Sequence, residues 1–145
     1  MSNMKGPAAT LAAMLVVMAI AAPPAQARSP VPIVAHENLA ITTGSGRTPA
    51  EEDVKKAITA AAATTKYPWS VTAGEAGTLV ATAVVRGKHT VSVNIKYSAT
   101  HYSVSYRDSI NMKYKVADGV AKIHPFYNDW VQELIDAINA ELKRL

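Results

Sequence analysis

The chain has 145 residues, 49% of them hydrophobic and 18% charged, with a formal net charge of +4 and no cysteine. This length and apolar content suit one domain with its own core. The lack of cysteine excludes disulfides, thiolate chemistry and a lipid-bearing Cys.

Met1 to Lys5 is a short polar start with one positive charge, and Ala8 to Ala22 is an apolar run. Pro23 and Pro24 end that run, and Ala25-Gln26-Ala27 places small residues where a signal peptidase reads them. A membrane span needs about 20 apolar residues, and this run is shorter. Residues 1–27 therefore read as a cleavable signal peptide cut after Ala27, with a periplasmic or secreted product that keeps no membrane span. Arg28 to Arg47 reads as a flexible linker. Pro30 and Pro32 oppose regular structure, and Thr42-Thr43-Gly44-Ser45-Gly46 is flexible in composition. Val31, Ile33, Val34, Leu39 and Ile41 give it apolar anchor points.

Residues 48–145 read as a single α+β domain. Thr48-Pro49-Ala50-Glu51 fits a capping box with proline at the first helical position, and Glu51, Glu52 and Asp53 suit a first turn. Val54, Ile58 and Ala61 follow at helical spacing, and the helix is expected to stop before Tyr67-Pro68. Short strands come next: Trp69–Thr72, then Thr78–Arg86, with Gly87-Lys88 as a tight-turn signal. In 89–97, His89, Val91, Val93, Ile95 and Tyr97 alternate with Thr90, Ser92, Asn94 and Lys96, the pattern of a half-buried antiparallel strand. Tyr102, Val104 and Tyr106 repeat it, and 110–116 adds a partial edge strand before the Asp118-Gly119 turn. A last helix spans Pro125–Leu142, with Trp130, Leu134 and Ile138 in one row, Tyr127, Val131, Ile135 and Leu142 widening it, and Asp129 and Glu133 on its polar edge. The expected fold is a two-layer α+β sandwich. About four antiparallel strands carry an N-terminal and a C-terminal helix on one face, in the order α-β-β-β-β-α.

Charge is uneven along the chain. From Arg86 to Lys122 seven basic residues face only Asp108 and Asp118. A polar, basic sheet face would meet an anionic envelope component, such as lipopolysaccharide or peptidoglycan, or an acidic patch on an envelope protein. The same charges also serve simply to solubilise exposed strands. Arg86, Lys88, Asn94, Lys96 and Arg107 are the candidate binding residues. Asp108, Ser109 and Asn111 form the densest polar cluster, fit either to hold a sugar or headgroup or to stabilise the exit from a strand. Tyr106 and Tyr114 flank it, placed to stack on a ligand or to pack in the core. Histidines 36, 89, 101 and 124 lack metal-ligand spacing, so neither a metal nor another cofactor is expected. No aromatic platform of the RNA-binding kind is visible, so nucleic acid is not an expected partner.

The stretch Tyr102-Ser103-Val104-Ser105-Tyr106-Arg107-Asp108-Ser109-Ile110-Asn111-Met112-Lys113-Tyr114, with Ile123-His124 and Tyr127-Asn128-Asp129-Trp130-Val131 after it, resembles a family of small uncharacterised exported proteins and lipoproteins of proteobacteria. The resemblance implies an envelope location and no particular activity. The chain departs from the lipoprotein members in having no lipid-bearing Cys. Its layout is also similar to that of envelope-assembly lipoproteins with two helices on a four-stranded sheet, and a fold carries no function by itself.

Two functional readings follow. One is a non-enzymatic binding or interaction module of the cell envelope, acting through the polar sheet face. The alternative is a hydrolase-like enzyme acting on an envelope polymer through Asp108, Ser109 and His124, which requires those side chains to converge in a cleft. A sheet edge pairing with another protein strand or a second copy is a third possibility.

Overall fold

A computed structural model describes residues 28–145, so the expected signal peptide lies outside the described residues. Strand β1 is Val31–Pro32 and β2 is His36–Ala40. Helix α1 covers Glu51–Ala62. Strands β3 (Trp69–Ala73), β4 (Thr78–Val85), β5 (His89–Tyr97) and β6 (His101–Ile110) follow. Then come β7 (Lys115–Ala117), β8 (Val120–Ile123) and helix α2 (Phe126–Leu142).

Five strands form an antiparallel sheet in the order β2-β6-β5-β4-β3, and a smaller sheet has the order β1-β8-β7. The strong alternation of β4 and β5 fixes their register, because a slip of one residue would turn every apolar side chain to water. Val93 pairs with Ala81 on one side and Tyr106 on the other. Leu79, Ala81, Ala83 and Val85 of β4, Val91, Val93 and Ile95 of β5, and Tyr102 and Val104 of β6 all point inward and are buried. They share one core with Val54, Ala57, Ile58, Ala61 and Ala62 of α1 and with Trp130, Val131, Leu134, Ile135, Ile138 and Leu142 of α2. Burying each Val, Leu or Ile contributes about 1.5–3 kcal/mol. The expected α+β architecture is present, with both helices on the apolar face. The opposite face presents Thr82, Val84, Thr90, Ser92, Asn94, Lys96, Ser103 and Ser105, all half-buried or exposed.

Helix α1 begins later than the capping box suggests. Ala50 is the N-cap residue, in extended conformation, and its carbonyl accepts from the N–H groups of Asp53 and Val54. Pro49 thus precedes the cap rather than opening the first turn, and Thr48 does not cap the helix. At the other end the Thr64 hydroxyl donates to the Ala61 carbonyl and the Thr65 hydroxyl to the Tyr67 carbonyl. These bonds turn the chain out of α1. The alanine-rich stripe of α1 packs mainly on α2 and also touches β3 and β5.

The segment expected as a flexible linker is built into the fold. β2 adds a fifth strand to the main sheet beside β6. β1 pairs with β8, with Val31 opposite Ile123. Asn128 of α2 holds β1 by its amide: Oδ1 accepts from Val34 N–H at 3.1 Å and Nδ2 donates to the Pro32 carbonyl at 3.0 Å. Pro32 has no N–H to give a sheet, which suits it to this short edge. The Thr43–Gly46 turn is also packed. Gly44 lies against the Lys143 carbonyl, where an added Cβ would clash.

A β-bulge changes the reading of 107–116. Val93 pairs with Tyr106 and Ser92 with Asp108, so Arg107 is an extra residue in β6. The insertion reverses the alternation beyond it. Ser109 comes opposite buried Val91, and Ile110 turns outward opposite Thr90, 62% exposed. The partial edge strand expected over 110–116 is therefore formed only at its end, where 115 and 116 belong to an edge strand of the smaller sheet. Ile110 closes β6, and β7 starts at Lys115 in the smaller sheet. Asn111 and Lys113 carry the turn between them at positive φ (58° and 54°).

Candidate functional site

The most convergent set of functional side chains sits at the end of the main sheet where β4 turns into β5. Val85 closes β4, and Arg86 and Gly87 both take positive φ, with Lys88 N–H donating to the Val85 carbonyl. This is the backbone that a tight hairpin turn requires. The turn sets Arg86 and His89 against the first turns of α2. There Phe126, Asp129, Trp130 and Glu133 recur at three- and four-residue spacing along one edge of the helix. Lys66 and Tyr67, from the link between α1 and β3, close the third side. Together these residues line a cleft of about 310 Å³. That is at the lower end of the roughly 300–1,000 Å³ usual for small-ligand sites.

One wall of the cleft is aromatic. The Tyr67 and Trp130 rings meet edge-on at 5.7 Å, and Phe126 lies 5.7 Å from Trp130 at a 32° tilt. Trp130 is nearly buried, whereas Phe126 remains 37% exposed. Polar groups face this wall. Glu133 Oε1 accepts from the Lys66 N–H at 2.7 Å, which ties the α1–β3 link to α2. His89 Nδ1 donates to the Asn111 carbonyl at 2.9 Å, because a carbonyl can only accept. The one salt bridge among the described residues is Arg144–Glu141, far along the chain from the cleft. Lys66, Arg86, Asp129 and Glu133 thus enter the cleft without being paired to one another.

Further cations stand at the cleft's mouth. The Arg28 guanidinium lies 4.8 Å from the centre of the Phe126 ring, and Lys113 Nζ reaches the Arg28 carbonyl at 3.5 Å. His124 stacks at a tilt on Phe126, 4.7 Å away, and its Nδ1 accepts from the Phe126 N–H at 3.2 Å. The imidazole therefore satisfies an unpaired donor of α2, a task only its unprotonated Nδ1 can perform. Burial holds the His124 pKa below its ordinary value, and the nearby charges of Lys113, His89 and Arg28 push the same way.

The residues singled out from sequence distribute over several places. Arg86 lines the cleft, and Lys88 is exposed on the same hairpin turn. Asn94 and Arg107 meet on the outer sheet face, where the guanidinium donates to Asn94 Oδ1 at 3.0 Å. Lys96 is at the far end of β5, in a shallow groove with Asn38, Ser98, His101 and Ser103. Seven steps along the strand separate it from His89, about 24 Å at strand rise. Asp108 accepts from its neighbour's Ser109 N–H at 2.8 Å, and the Ser109 hydroxyl bonds to the Tyr106 hydroxyl at 2.9 Å. Asn111 contributes its backbone: positive φ and a carbonyl for His89. Tyr106 and Tyr114 stack on each other at 4.3 Å, and Tyr106 packs edge-on against Tyr127. The Asp108 carboxylate holds the Ser109 backbone, the Ser109 hydroxyl bonds to Tyr106 and the His124 ring to the Phe126 N–H, so the three side chains form no bond with one another.

Sequence reasoning missed Lys66, Tyr67, His89, Phe126, Asp129, Trp130 and Glu133 as one set. A signal existed in the boundary of the α2 stripe, where Phe126 and Trp130 adjoin Asp129 and Glu133. An aromatic next to a carboxylate at a helix edge is amphipathic in a way that core packing alone does not need. Among the described residues, no group of three or more His, Asp or Glu could hold a metal ion. No helix among them is long and apolar enough to cross a membrane. Comparison with protein-family models, curated proteins and solved structures found no match for this chain.

Proposed function

We infer that the chain is an exported, non-enzymatic binding module of the cell envelope, and that its ligand is an anionic envelope component. The observation that carries this reading is the cleft: Arg86, His89 and Lys66 face an aromatic wall in a concave site of ligand size. Inside the cleft Lys66 and Arg86 are balanced by Asp129 and Glu133, and Arg28 and Lys113 add net positive charge at its mouth. The export reading rests on the N-terminal sequence pattern. The outer sheet face, with Asn94, Lys96 and Arg107, serves in this reading as a second, weaker contact with the same component.

Co-purification from envelope extract tests it, using the protein recovered after export, at low and high salt. An anionic component retained at low salt and released at high salt is expected. An Arg86→Gln variant should lose it, and Lys96→Gln should keep most of it. Retention of the same component by the Arg86 variant, or of nothing at either salt, would overturn the reading.

A further inference from the structure

We propose that the cleft between the β4–β5 turn and α2 binds a saccharide unit that carries an anionic group. This rests on the binding-module reading above and names its ligand class.

The chemistry of the lining separates a sugar from other anions. A simple anion site needs donors and cations alone. This one sets aromatic rings and two carboxylates beside its cations. Tyr67, Phe126 and Trp130 give apolar ring surface, with Phe126 the most open of them. The C–H face of a pyranose is flat, apolar and weakly positive, which suits the negative face of an aromatic ring. A carboxylate repels a plain anion but accepts readily from sugar hydroxyls. Asp129 and Glu133 lie one turn apart on α2, and only one Glu133 oxygen is engaged, by Lys66 N–H. Arg86 sits across the cleft on a rigid tight turn, free of any salt bridge among the described residues. Its planar fork matches a carboxylate or phosphate on the sugar. His89 adds a ring already oriented by the Asn111 carbonyl. Ring, hydroxyls and anion thus each have a facing group within one cleft of about 310 Å³.

Calorimetric titration of the exported protein with three probes tests this: trigalacturonate as acidic saccharide, cellotriose as uncharged saccharide, and tripolyphosphate as an anion without sugar. Trigalacturonate is expected to bind at least about tenfold more tightly than either other probe, the size of one charge-assisted contact. Arg86→Gln should bring trigalacturonate down to the level of cellotriose. Phe126→Ala should weaken both saccharides, with the melting midpoint measured alongside to confirm that the variant folds. Tyr67→Leu removes a second ring of the wall if Phe126→Ala does not fold. Tripolyphosphate binding as tightly as trigalacturonate would overturn the saccharide inference while leaving an anion-binding cleft in place. Equal binding of the two saccharides would overturn the anionic group. No binding of any probe, or binding unaltered by the Arg86 and wall variants, would overturn the cleft as a site altogether.

Discussion

The two ends of strand β5 look alike in sequence and differ in three dimensions. Each has a histidine or tyrosine facing inward and a lysine nearby: Lys88 and His89 at one end, Lys96 and Tyr97 at the other. At the first end, a tight turn, the start of α2 and the exit of α1 meet, and charged and aromatic groups converge on a cleft. At the second, the interior is closed and only a shallow surface groove remains. The Tyr102 hydroxyl donates to Asn139 Oδ1 at 2.7 Å, burial pushes its pKa up to about 12, and Gly44 lies against the last turn of α2. Lys96 stays in solvent, beside Asn38, His101 and Ser103. Equal local charge therefore does not make equal sites. What distinguishes them is how many elements end at the same place.

Four experiments break or sharpen that contrast. The largest effect is expected from Leu134→Ala, which opens a cavity in the core beneath both ends. Stability should fall by about 2–5 kcal/mol in urea denaturation, with both ends melting together. Separate transitions would show that the ends are independent. Gly44→Ala strains the closed end alone, because the new Cβ meets the Lys143 carbonyl. A loss of about 1–3 kcal/mol is expected, with binding in the cleft unchanged. Arg86→Gln and Lys96→Gln compare the ends directly. Both should leave stability within about 0.5 kcal/mol, as exposed substitutions do, and the first should weaken capture of an anionic ligand far more than the second. The smallest effect concerns pH. His124 has a lowered pKa in the folded chain, so the unfolded chain takes up its proton first. The stability tied to the neutral ring is complete above the unfolded value, near 6.5, and is lost as the pH falls from there through the lower folded value. A His124→Gln variant, which keeps an acceptor without titrating, should show a flatter melting midpoint in this window.

The inward faces of β5 and β6 and the stripe of α2 were legible because each depends on a local period that a buried face enforces. The α2 range differs from its expected start by one residue, since Pro125 supplies the N-cap position. The part that was not legible depended on distant partners. His36–Ala40 has little strand character of its own and becomes a strand because β6 offers an open edge. Val31–Pro32 is held by Asn128, more than ninety residues away. Arg107 looked like one more outward residue, yet it is the bulge that turns Ile110 to solvent. As for the site, Arg86 was found through charge. Phe126 and Trp130 were absorbed into the core stripe, because helical periodicity does not show where a stripe meets the end of a sheet.

The amide clamp of Asn128 has a consequence for the order in which the molecule assembles. Strands β1 and β2 are the first described elements to leave the ribosome, and their partners β8 and β6 come much later. The chain must therefore carry Val31–Ala40 unpaired through most of its synthesis, while β3, β4, β5 and β6 pair with one another through consecutive hairpins. Such long-range pairings close slowly, because loop entropy is lost before contacts repay it. The N-terminal segment is thus expected to dock last and, in the native state, to open first. Its docking would complete both sheets at their N-terminal edges, next to the Arg28–Phe126 contact at the mouth of the cleft.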